Sequence, residues 1–139
     1  MMKLIRKLPI GLAIKSILFI TTVILFFHAM VIMEVIPYKY VWGGRLKSVE
    51  QMYIFQGYSV FWNVLILIVV LIRGEYIQPH MPISTTKGFS WIFFAILIIN
   101  TIVNLADLDS LQSKICPAIT FILAILFLRV AIKEKEQLE

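Results

Sequence analysis

Cysteine is nearly absent from this 139-residue sequence: Cys116 is the only one. A single thiol excludes an intramolecular disulfide, a CxxC redox pair and a cysteine zinc cage, and with them the membrane enzymes that work through cysteine pairs. Cys116 lies beside Pro117 with Lys114 as its only basic neighbour, a setting that favours a packed thiol over a nucleophile. Histidine is scarce too: His28 stands in an apolar run and His80 in a polar connection, so one chain cannot build a bis-histidine haem site. A Ser-His-Asp arrangement and a metal-ligand motif are both missing. The expectation is a protein without catalytic residues, metal or cofactor, and so a binding or structural protein rather than an enzyme.

Charge is the third shortage, at 15% of residues against about 25% in soluble domains. What fills the chain instead is apolar: 60% of residues, with a mean hydropathy of +0.92. A chain this short cannot hide that excess from water, so its solvent is lipid. The net charge of +5 does not point to nucleic acid, because the basic residues sit at the edges of apolar runs rather than in one stripe.

A bilayer crossing takes about 20 mostly apolar residues. Four stretches qualify, over 16–36, 51–72, 88–106 and 115–132. The fourth is the weakest, since Arg129 interrupts it one turn before its end and must snorkel to the headgroups. Ser48 followed by Gln51 is a capping-box pattern that starts the second span. Pro79 and Pro82 separate the second from the third, and Pro117 suits the first turn of the fourth. The expected fold is all-α: an integral membrane four-helix bundle, up-down-up-down, in one domain.

Orientation follows from the basic residues. Lys3, Arg6, Lys7, Lys15, Arg73, Lys87, Arg129, Lys133 and Lys135 fall on one side, against Lys39, Arg45, Lys47 and Lys114 on the other. Positive-inside bias puts both termini in the cytoplasm. The first apolar run is too long for a cleaved signal, and Phe27-His28-Ala29 is no cleavage site, so that helix is expected to be retained. Tyr38, Tyr40, Trp42 and Tyr53 would mark the outer interface, and Tyr76, Phe89 and Trp91 the inner one.

Polar residues inside the spans gather in the outer half. Taken at the helical rise, His28 lies about 12 Å deep, Gln56 about 6 Å, Asn63 about 16 Å, Asn100 about 9 Å, Asn104 about 3 Å and Thr120 about 7 Å, with Asp107 at the rim. Gln56, Ser59 and Asn63 form one stripe, and Asn100, Asn104 and Asp107 another. Such residues are either interhelical glue or the lining of a ligand pocket, and both readings stay open. His28 reads as a buried, hydrogen-bonded side chain before it reads as a proton relay. The loop PYKYVWGGRLKS carries Gly43-Gly44 for a tight turn, and Arg45 beside it completes the candidate pocket with His28, Gln56, Asn63, Asn100, Asn104 and Asp107.

The run from Pro37 to Arg45, with VWGGR at its centre, resembles a family of small four-helix bacterial inner-membrane proteins that has no assigned activity. The resemblance implies a four-helix fold in the cell inner membrane and implies no chemistry. In that family an acidic residue often stands where this chain has Gln56. The functional expectation is a multi-pass protein that binds or transports a small ligand through an outward-facing polar pocket. The alternative is a structural or accessory subunit, whose partner is another membrane protein.

Overall fold

The structure, a computed structural model, describes residues 2–78, 82–106 and 111–132. A short helix α1 (Met2–Lys7) leads into α2 (Ile10–Ile32), followed by α3 (Val49–Arg73), α4 (Ile83–Leu105) and α5 (Leu111–Ala131), and no strand occurs among the described residues. The last four helices are long and apolar enough to cross a membrane. They run up-down-up-down, and each packs on the next, with α5 closing back onto α2. The chain is thus an all-α four-helix bundle of the multi-pass membrane class. Large side chains such as Phe19, Phe26, Ile54 and Ile102 stand exposed on its flanks, as a lipid-facing surface requires.

The limits of the helices differ from the sequence reading in instructive places. The first crossing helix begins at Ile10 rather than at Ser16, so Lys15 lies inside it on an exposed face. Pro9 breaks the chain before it, and the residues ahead form α1, which tucks Ile5 against the bundle. At its far end the helix stops at Ile32, and Glu34 takes the left-handed conformation (φ 59°). There Val35 N donates to Met30 O and Glu34 N to Val31 O, a Schellman cap built on a glutamate instead of glycine. The second ends the same way, with Glu75 at φ 64° and Tyr76 N donating to Leu71 O.

The weakest crossing on sequence grounds is the most enclosed one. Of its membrane-length window, 44% is buried inside the bundle, against 22% in each of the others. Ala124, Phe127, Val130 and Ala131 are all 0% exposed. Arg129 does not depend on the headgroups alone, because its Nε donates to Leu8 O at 2.7 Å, closing the N-terminal segment over the end of α5. A main core of Ala13, Ile14, Ile17, Ile66, Val69, Val70, Phe93, Leu97 and the α5 residues fills the N-terminal half of the bundle. A second, smaller core of Val31, Val41, Leu46 and Met52 sits at the opposite, distal end.

Candidate functional site

The seam between α2 and α3 carries three of the predicted polar residues, His28, Gln56 and Asn63. On α2 the buried or half-buried positions run Ile14, Ile17, Thr21, Ile24, His28, Val31, alternating steps of three and four. On α3 they run Met52, Gln56, Ser59, Asn63, Ile66, Val70, Arg73 with the same alternation. That spacing holds one face of a helix against its neighbour over several turns. His28 Nδ1 meets Gln56 Oε1 at 2.5 Å, which requires the proton on Nδ1. This pair fixes the antiparallel register: seven residues further in, Thr21 comes level with Asn63, and after another seven Ile14 comes level with Val70. The seam is therefore polar in its middle, from His28 and Gln56 to Thr21 and Asn63, with Val31 and Met52 on the distal side and Ile14, Ile17, Ile66 and Val70 on the other, where Arg73 ends the stripe.

These polar groups are bonded chiefly to the bundle itself. Asn63 Nδ2 donates back to Ser59 O at 2.8 Å. Gln56 is 1% exposed and Thr21 0%, and Gln56 Nε2 and Thr21 Oγ1 find no hydrogen-bond partner. Above the His28–Gln56 pair, Val31 and Met52 close with Val41 and Leu46 from the distal loop into an apolar plug. The loop thus contributes apolar side chains, not polar ones, to the end of the seam beyond the pair. Leucine at His28, at Gln56 and at both gives a double-mutant cycle with an expected coupling of about 1 kcal/mol. Additive losses in a thermal melt would show that the pair does not hold α2 to α3.

The second predicted stripe divides. Asn104 is half-buried, but Asn100 is exposed, against the expectation that it faces inward. Its neighbour Thr101 makes the interhelical contact instead, with Thr101 Oγ1 2.8 Å from Thr120 Oγ1, one hydroxyl donating across and the other back to a carbonyl of its own helix, Leu97 O or Cys116 O. Thr101 follows Leu97 by four residues, and both are buried on α4, the helix that packs most closely on α5. Asp107 lies outside the described residues.

Arg45 of the predicted set lines an open groove. A groove of about 450 Å³ at the distal end is lined by Trp42, Arg45, Leu46, Lys47, Gln51 and Phe55. The VWGGR run builds it. Val41 is 2% exposed in the plug, and the next three residues all take positive φ: Trp42 54°, Gly43 66° and Gly44 73°. Left-handed backbone costs a bulky residue roughly 1–2 kcal/mol, so Trp42 is held in strain while the glycines are at ease. The turn sets the Trp42 ring edge-on to Phe55 at 5.2 Å and delivers Arg45 to the rim. Ser48 caps α3 by accepting from Gln51 N at 3.2 Å, and Gln51 Oε1 accepts from Lys47 N at 2.9 Å, so the capping box is displaced by one residue on its return bond. Sequence reasoning missed Lys47, Gln51 and Phe55 as lining residues, although their place around the cap and turn was readable.

Among the described residues no three His, Cys, Asp or Glu side chains converge on a position that could hold a metal ion. Compared with models of known protein families, with curated proteins and with solved structures, the chain matches none. Fold and hydropathy together define a small multi-pass membrane protein. Its distal end carries a strained loop over a cationic, aromatic groove.

Proposed function

We propose that the protein holds a small ligand in the distal groove, with the α2–α3 polar seam serving as the support that keeps the groove's floor in place. The observation that carries this reading is the strained Trp42-Gly43-Gly44 turn, which spends stability to place one ring and one guanidinium at the cavity. A volume near 450 Å³ falls within the roughly 300–1,000 Å³ of small-molecule sites. The pocket read from the sequence thus moves: Arg45 belongs to it, while His28, Gln56 and Asn63 brace it from below. Mass spectrometry of protein purified from its own membrane is expected to find a small molecule that the Arg45→Glu variant lacks. A membrane protein retained equally by parent and variant, with no small molecule, would replace this reading with that of an accessory subunit.

The reading also places the groove outside the bacterial cytoplasmic membrane, with both termini in the cytoplasm. Its support is the surplus of basic residues at the N-terminal end of the bundle and the likeness of the VWGGR loop to a family of bacterial inner-membrane proteins. In intact cells, with Cys116 replaced by serine, an impermeant maleimide should label a cysteine put at Lys39 and leave one at Lys3 untouched. The reverse pattern would turn the protein over.

A further inference from the structure

We infer that the outer face of α4 docks a second copy of this chain, with the Asn100 amides of the two copies bonded to each other across a two-fold axis. The inference is independent of the groove and stands whether or not the groove takes a ligand.

Asn100 is the residue that calls for a partner. Its side chain is exposed on a helix long and apolar enough to cross the membrane. It makes no hydrogen bond among the described residues, whereas Asn63 on α3 donates to Ser59 O one turn back. At about 9 Å below the distal end of the span, hydrocarbon offers an amide nothing to bond. The side chain is also too short to snorkel to the headgroups as an arginine does. An unbonded amide at that depth is costly, and hydrogen bonds between polar side chains of neighbouring helices are the usual relief.

The surface beside it suits close packing. Ile92, Ile96, Ile99 and Val103 follow one another by four, three and four residues, so they form one stripe along α4, and all four are exposed. Asn100 borders that stripe, one turn after Ile96. Each member is β-branched, with one strongly preferred χ1 rotamer in a helix, so little side-chain freedom is lost when two such surfaces meet. In lipid that counts for more than hydrophobicity, because acyl tails are equally apolar and packing supplies the attraction. The exposed faces of α2 and α3 carry aromatic rings instead, Phe19 and Phe26 on one, Tyr58 and Phe61 on the other. Two copies inserted the same way up are related by an axis along the membrane normal, which brings each residue of α4 to the depth of its own twin. Asn100 then meets Asn100 of the second copy. An amide holds both donor and acceptor, so the pair is reciprocal. A different helix would need a matching group at that depth, whereas a second copy supplies one by symmetry.

The test uses the full chain with Cys116→Ser, first in its own membrane and then in dilute phosphatidylcholine vesicles. Under mild oxidation, single cysteines at Ile96, Ile99 and Val103 are expected to form disulfide-linked dimers. The rate should be several-fold higher than for cysteines at Phe19 on α2, Phe61 on α3 or Ile122 on α5, which are exposed as well. Equal rates on all four helices would mean chance collision and overturn the inference. Cross-links from the α4 positions to a polypeptide of another mass, with no dimer, would overturn it in favour of an accessory subunit docked by the same face. In vesicles, energy transfer between labelled copies reads the dimer directly. Asn100→Leu is expected to weaken dimerisation about tenfold, and Asn100→Gln, which keeps the amide, far less. Asn100 is exposed in the single chain, so Asn100→Leu should leave its thermal melt at high detergent unchanged, and loss of the dimer is then not loss of the fold. No energy transfer in the parent, or dimerisation of Asn100→Leu equal to the parent's, would sink the proposal.

Discussion

Phe93→Ala is expected to lower stability in detergent by about 3–5 kcal/mol, the usual cost of emptying a large aromatic site in a packed core. Phe93 is 1% exposed, and its ring lies 5.3 Å from that of Phe127 on α5, 6.3 Å from that of Trp62 on α3 and 6.4 Å from that of Phe89 on its own helix. It is where three crossing helices meet. In lipid the gain from packing comes from dispersion rather than water release, so a void is not recovered by repacking against acyl chains. Phe93→Leu keeps most of the volume and should lose less than half as much. Phe19, 71% exposed on α2, is the matched control, and Phe19→Ala should melt within about 0.5 kcal/mol of the parent. A thermal melt in which Phe93→Ala and Phe19→Ala coincide would mean that the ring cluster is not the core of the bundle.

How far the sequence could be read depends on the range of each signal. The four crossing helices were legible because each is a continuous apolar run, and nothing in the rest of the chain is needed to see one. The Ser48 cap was legible for the same reason, since donor and acceptor are three residues apart. The polar stripe of Gln56, Ser59 and Asn63 was legible as a stripe. That it meets His28 needed the register of two helices joined by a loop with two separate turns. Asn100 shows where periodicity stops being enough. It lies on the core side of its helix by spacing, yet it is exposed while Thr101 beside it is buried, and which of two neighbours is covered depends on all the helices around them. The left-handed glutamates at 34 and 75 left no local signal either, because glycine is the residue that usually announces such a cap.

The groove was half legible. Gly43-Gly44 announced a turn, and Arg45 beside it was an evident candidate. Strain at Trp42 was invisible, since a tryptophan at that depth reads as an interfacial anchor and nothing in its neighbours predicts a positive φ. The loop's two apolar residues, Val41 and Leu46, were equally unreadable as a plug, because their partners Val31 and Met52 belong to two different helices. Together they explain why a polar seam and an open groove lie near one end without joining. The plug lies between them.

Arg73→Ala is expected to cost about 3 kcal/mol, and Arg129→Ala about 1–2 kcal/mol, although both residues were first read as topology signals. Arg73 is 6% exposed at the end of α3, and its Nη2 donates to Val130 O on α5 at 2.7 Å. Val130 is in the last turn of α5, where carbonyls have no partner within the helix and the helix dipole favours a cation. Arg129 serves Leu8 O in the same manner, at the break that Pro9 makes between α1 and α2. Each arginine thus closes a helix end that belongs to another segment, and the more buried of the two should matter more. Arg73→Met separates the parts of the effect, because methionine keeps a buried apolar stem and loses only the charged hydrogen bond, worth about 1.5–3 kcal/mol. Arg129→Ala carries a second signature, since it frees the N-terminal segment and should speed protease cleavage between Lys7 and Ile10 while leaving the crossing helices folded. If Arg73→Ala and Arg73→Met both melt with the parent, the arginines set orientation only, and closure of α3 on α5 rests on Val70, Val130 and the apolar side chains around them.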